Sequence, residues 1–129
     1  MIKSKLIANI LDLLLDGDND GLTLRNQINF LTDTRYNYTG AGVFVTFSHS
    51  DQISKYKLER HELVINGVDI KDEAGNIDAD AQVFVKNGLI DYLEIWSRTG
   101  DYPDKELDNY TLTQVWDKSP GRQIKKANA

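Results

Sequence analysis

The chain contains no cysteine. Disulfides and thiolate metal sites are therefore excluded, and the sequence fits a reducing compartment. Histidine is nearly as scarce, with only His49 and His61. His49 lies in the run SHSD. Neighbours along a strand or loop point in different directions, so its adjacency to Ser48, Ser50 and Asp51 makes no catalytic triad. Two histidines without a nominated carboxylate and third ligand make no metal site either. We expect exposed or capping histidines, no metal and no cofactor. Long apolar runs are missing too. LIANILDLLL, behind Lys3 and Lys5, superficially resembles a signal peptide, yet Asn9 and Asp12 interrupt it and no small-residue cleavage site follows. Nothing approaches the roughly 18–20 apolar residues of a membrane span. The expectation is a soluble, cytoplasmic protein without a membrane partner.

Present instead are 129 residues, 40% of them apolar and 27% charged, a composition that suits one globular domain able to bury its own core. Charge is unevenly placed. All 20 acidic residues lie at or before Asp117, whereas four of the 15 basic ones, Lys118, Arg122, Lys125 and Lys126, follow it. Residues 1–117 read as a single domain, and 118–129, lacking an apolar stripe, as a basic tail that should fray. An acidic body repels nucleic acid and speeds encounters with basic proteins at low salt; the same acidity keeps a protein soluble.

Local patterns define the elements. Leu6, Ile10, Leu13 and Leu14, widened by Ile7 and Leu11, give a helical stripe over residues 3–15. A second helix is expected over about Thr23 to Leu31, capped by Asp20 or Thr23. Residues 36–42 read as a connection and GVFVTF as a strand with Val43, Val45 and Phe47 on one face. Asn66-Gly67 inside ELVINGVDI is either a tight hairpin or a bulge in one longer strand. The strongest signal is Asn87-Gly88 in AQVFVKNGLIDYLEIWS, because a two-residue type I′ turn requires φ > 0 twice. Pairing outward from that turn sets Phe84, Leu89, Leu93 and Ile95 on one face and Val83, Val85, Ile90, Tyr92 and Trp96 on the other. Both faces are apolar, which places the hairpin centrally with both faces covered. Residues 98–109 read as a charged loop, and Leu112, Val115 and Trp116 as a last short element docked on the sheet. The fold class is α+β, with two N-terminal helices packed on an antiparallel sheet of about four or five strands.

Candidate sites are few. Asp16, Asp18 and Asp20 with Gly21 occupy EF-hand positions, and repeated carboxylates suit calcium. However, Gln27 stands where a bidentate Glu belongs, and no second such loop follows. An acidic turn between helices explains the same residues. Paired carboxylates for acid–base catalysis are absent, since Asp91 and Glu94 fall on opposite faces of one strand. A hydrolytic site would require Glu94 within hydrogen-bond reach of His49 or His61. Glu94 beside Tyr92 and Trp96 instead suits docking of a partner's arginine. Asp101, Asp104, Glu106 and Asp108, interleaved with Tyr102 and Tyr110, suit gripping a basic protein.

TGAGVFVTF (Thr39–Phe47), followed by AQVFVKNG and LIDYLEIWSRTGDYP, resembles a widespread group of small bacterial proteins. Their pattern is a TGxG-aromatic strand, an apolar strand ending in a glycine turn, and a Leu-Glu-aromatic strand leading to proline. Gly40, Gly42, Phe44, Phe47, Gly88, Leu93, Glu94 and Pro103 carry it here, and they are architectural positions. Several such proteins are similar to immunity proteins of toxin systems. The resemblance implies a non-enzymatic protein, monomeric or homodimeric, that binds and neutralises a cognate toxin. The acidic body implies that the toxin is basic.

Overall fold

Ser4 starts the first helix: its Oγ accepts the Ile7 backbone N–H at 3.2 Å, and α1 runs Lys5–Leu14. The computed structural model that shows this describes residues 1–17 and 19–127. Six leucines and isoleucines of α1 are buried, on the stripe that the sequence spacing predicts. A short helix, α2 (Asn19–Arg25), follows. It ends six residues before the expected Leu31, because Asn26 and Gln27 donate to Thr23 and Leu24 carbonyls in tight, three-residue steps.

Seven strands then form one antiparallel sheet: β1 (Leu31–Tyr38), β2 (Gly42–His49), β3 (Glu62–Lys71), β4 (Asp78–Lys86), β5 (Leu89–Ser97), β6 (Tyr110–Gln114) and β7 (Gln123–Lys126). Their spatial order is β1-β2-β5-β4-β3-β6-β7. The α+β class stands, with more strands than the four or five expected. The extra ones are the two outermost. β1 was hidden because Asp33 takes an inward, buried position where a hydrophobe would reveal the alternation. β7 lies in the basic stretch expected to fray. It pairs with β6 from Tyr110↔Lys126 to Thr113↔Gln123, and main-chain bonding of this kind needs no apolar stripe.

The β4–β5 hairpin is central, and Asn87 (φ 53°) and Gly88 (φ 78°) form its turn. Lys86↔Leu89 and Val85↔Ile90 pair as the turn dictates, but the register then slips by one residue, so Phe84 faces Tyr92 and Val83 faces Leu93. Asp91 is the extra residue of a β-bulge. This overturns the expected faces. Ala79, Ala81, Val83, Val85, Ile90, Leu93 and Ile95 all point into the core, whereas Phe84 joins Tyr92 and Trp96 on the other side. Only one face of the hairpin is packed; α1 crosses it over β3, β4 and β6. Asn66-Gly67 is likewise a bulge within the single strand β3, with Gly67 at φ 113°.

Crossovers embrace both ends of the hairpin. The β2–β3 connection, which includes a 3-10 turn at Asp51–Tyr56, passes so close to the turn that Leu58 donates to Gly88 O at 3.0 Å and Gly88 donates to His61 O at 3.0 Å. A Cβ at Gly88 would meet Leu58 O at 2.5 Å, so glycine is required there for space as well as for φ. At the opposite end, residues 98–109 lead from β5 to β6 and bury Tyr102 and Leu107.

Candidate protein-docking face

Opposite residues of antiparallel neighbours share a face, so the register builds the uncovered side of the sheet row by row. One row reads Arg35, Thr46, Tyr92, Phe84, Val64. The next reads Asn37, Phe44, Glu94, Gln82, Asn66. A third reads Trp96, Asp80, Asp69, Thr113. The apolar members of these rows, Val64, Phe44, Phe84, Tyr92 and Trp96, contribute nothing to the buried core. Val64 is 48% exposed and Trp96 44% exposed.

The aromatics contact one another instead. The Phe84 and Tyr92 rings stack at 4.3 Å with 11° between their planes, and Phe44 tilts against Tyr92 at 6.1 Å. Each such pair contributes about 0.5–1.5 kcal/mol beyond area burial and makes the patch stiff before anything docks. Burial pushes the Tyr92 hydroxyl pKa up, and the Glu94 and Asp91 charges add to the shift. The phenol therefore stays protonated at neutral pH.

Carboxylates flank the patch. Glu94 accepts from Gln82 Nε2 at 2.6 Å. Arg98 reaches three acids: Asp69 at 2.5 Å, Asp78 at 2.7 Å and Asp80 at 3.8 Å. These bonds, Asp69 foremost and Asp78 next, raise the pKa of the guanidinium. One cation cannot balance three carboxylates, and burial pushes the Asp80 carboxyl up, against the opposing pull of Arg98. Asp80 lies directly opposite Trp96 across the β4–β5 ladder. An aromatic face beside uncompensated negative charge is the chemistry that receives an arginine or lysine.

The expected site residues divide between two regions. Glu94 and Trp96 share the uncovered face. The loop residues do not join them. Tyr102 is buried, and burial together with the nearby Tyr38 and Glu106 pushes its hydroxyl pKa up. It is a core residue: its backbone N–H, donating to Gly40 O at 2.8 Å, fixes the loop so that the ring turns inward. Glu106 accepts the Ser4 hydroxyl on the helix side of the sheet. Asp101, Asp104 and Asp108 are exposed on the loop. Among the aspartates of the calcium pattern, Asp16 accepts from Arg122 at 2.7 Å and Gln114 at 2.9 Å, and these bonds hold its carboxyl below its ordinary pKa. Asp20 pairs with Arg60 at 3.5 Å. Asp18 lies outside the described residues. Guanidinium groups thus hold the two described carboxylates of the calcium pattern. His49 donates from Nε2 to Ile90 O at 2.5 Å and Glu94 accepts from Gln82, so the bonds these two side chains make lead to other partners.

Sequence reasoning missed Phe44, Phe84, Val64 and Asp80 as surface residues. The alternation in DADAQVFV, with alanine and valine at every second position, already assigns Asp80, Gln82 and Phe84 to one side. Among the described residues, no helix is long and apolar enough to cross a membrane, and no three His, Asp or Glu side chains cluster as metal ligands. Compared with protein-family models, curated proteins and solved structures, the chain matches none.

Proposed function

We propose that the protein is a non-enzymatic binder of another protein, an immunity-type inhibitor that docks a basic toxin on the uncovered sheet face. The observation that carries this reading is the aromatic cluster of stacked Phe84 and Tyr92 with Phe44 tilted against it, flanked by Trp96 and by the carboxylates around Arg98, on a surface that makes no part of the core. Aromatic anchors inside a polar rim are enriched among interface hot spots. The net charge of −5 favours capture of a basic partner through fast association.

Co-expression with the product of the adjacent gene tests it. We expect one co-eluting complex in size-exclusion chromatography and protection of cells from that product. Trp96→Ser and Tyr92→Ser should each weaken the complex about tenfold or more. Asp108→Asn, on the separate loop, should not. Absence of both complex and protection removes the inhibitor reading. A complex indifferent to Trp96 and Tyr92 removes the docking face while leaving the inhibitor reading intact.

A further inference from the structure

The sheet has a third edge. β6 pairs with β3 only over Val68–Lys71, and the last main-chain bond beyond that window runs from Val115 N to Gly67 O. Among the described residues no strand lies beside Glu62–Asn66 on that side. The two outermost edges are blunted. β1 carries a bulge at Thr34 and the inward carboxylate of Asp33. β7 spans only four residues and includes Lys125 and Lys126. Bulges, inward charges, short length and lysines are the usual protections of an edge. The free half of β3 has none of them between Leu63 and Ile65. It is three consecutive β-formers, with Val64 48% exposed.

We propose that this half-edge pairs with the same segment of a second copy, antiparallel across a two-fold axis through Val64 perpendicular to the sheet. The segment is self-complementary in that register. Val64 meets its own mate, Leu63 meets Ile65, and Glu62 meets Asn66, so no like charges oppose each other. Moving the axis to Leu63 would set Glu62 against Val64, and half-residue shifts would place core-side residues opposite outward ones. On the helix side, a groove of about 310 Å³ bordered by Leu14, Leu63, Ile65 and Trp116 runs along the free edge. The rotation brings the second copy's Leu63 and Ile65 to this groove. Arg60, paired with Asp20 at 3.5 Å, lines the same groove before Leu63, and Asp117 lines it beside Trp116, which lies against Gly67 at the other end of the segment. A two-fold axis through the middle carries Arg60 toward the second copy's Asp117, so that the guanidinium bridges that carboxylate and its own Asp20. The outcome is one continuous sheet with both sets of helices on the same side. This inference does not rest on the toxin reading.

Sedimentation velocity of the full chain over a concentration series should show a monomer–dimer equilibrium in the micromolar range, the strength expected of a small interface. Val64→Lys places two ammonium groups across the axis and should raise the dimer dissociation constant at least tenfold, with an unchanged circular-dichroism spectrum. Because the chain has no cysteine, a single Val64→Cys substitution adds the only thiol. It should cross-link through a short bis-maleimide, whereas Thr46→Cys on the same face should not. A wild type that stays monomeric at high concentration overturns the proposal, as does a dimer that survives Val64→Lys or fails to cross-link at position 64. An edge reserved for a strand of another protein would give the monomeric result.

Discussion

Gln27 holds Gly88: the buried carboxamide donates from Nε2 to the Gly88 carbonyl at 2.9 Å, and its Oε1 accepts the neighbouring Ile90 N–H at 2.9 Å. The same Nε2 also donates to Tyr56 O at 2.9 Å. One side chain thus ties the residues after α2 and the β2–β3 connection to the turn of the central hairpin.

Replacing Gln27 with Leu keeps the volume and removes all three bonds. The Ile90 N–H then loses its acceptor and Tyr56 O a donor, while Gly88 O keeps only the Leu58 N–H, around a side chain that is 0% exposed. We expect a loss of about 2–4 kcal/mol, since stranded buried polar groups cost more than a hydrogen bond contributes. Urea unfolding with an unchanged m-value checks it.

Asp33 makes stability depend on acid. Burial alone would raise its pKa, but the Lys3 N–H at 2.6 Å, the Tyr36 hydroxyl at 2.5 Å and the Ser4 N–H at 3.1 Å outweigh that and hold it below its ordinary value. A carboxyl with a depressed folded-state pKa contributes stability that is complete above the unfolded value, about 3.9, and disappears as the pH falls through the folded one. The wild type should therefore lose stability below about pH 4 more steeply than Asp33→Asn, which should be less stable at pH 7 but flatter toward acid. Thermal melts from pH 7 to pH 2 make the comparison.

Gly42 tolerates no side chain. A Cβ there would lie 2.0 Å from Ile95 O and 2.9 Å from the Trp96 Cα, both backbone atoms of the paired strand. Gly42→Ala should force β2 away from β5 and cost on the order of 3 kcal/mol. A melting temperature close to that of the wild type would show that the two strands separate more easily than this packing implies.

Arg122 clasps the last strand to α1, reaching Asp16 at 2.7 Å and Asp12 at 3.1 Å. The Arg122 side chain is 42% exposed, so the pairs contribute little to global stability. Arg122→Ala should lower the unfolding free energy by less than about 1 kcal/mol. It should nevertheless accelerate amide exchange at Gln123–Lys126, which the clasp holds in place. Unchanged exchange there would mean that pairing with β6 suffices by itself.

The parts of the fold legible in advance are those whose cause is local. Asn87-Gly88 encodes positive φ in two adjacent residues, and Ser4 with the leucine spacing encodes a capped, one-sided helix. Glu94 and Trp96 lie two residues apart in a strand, which puts them on one face, and they share it. Tyr102 failed as a surface residue because nothing in a tyrosine between Asp101 and Pro103 tells which way its loop turns. From the sequence Gln27 reads only as a poor calcium ligand, since its three hydrogen-bond partners come from segments distant in sequence.

Sequence alone determined the central turn, the first helix, the acidic character of the chain and the absence of thiol chemistry. Each follows from residue type or near-neighbour spacing. The tertiary structure decided which side chains share a surface. A strand's side chains alternate with a period of two, so the single extra residue at Asp91 brings Phe84 to Tyr92 instead of Asp91, and with them the whole candidate face. Pairing partners choose where such an insertion settles, and those partners are set by packing between segments far apart in the chain.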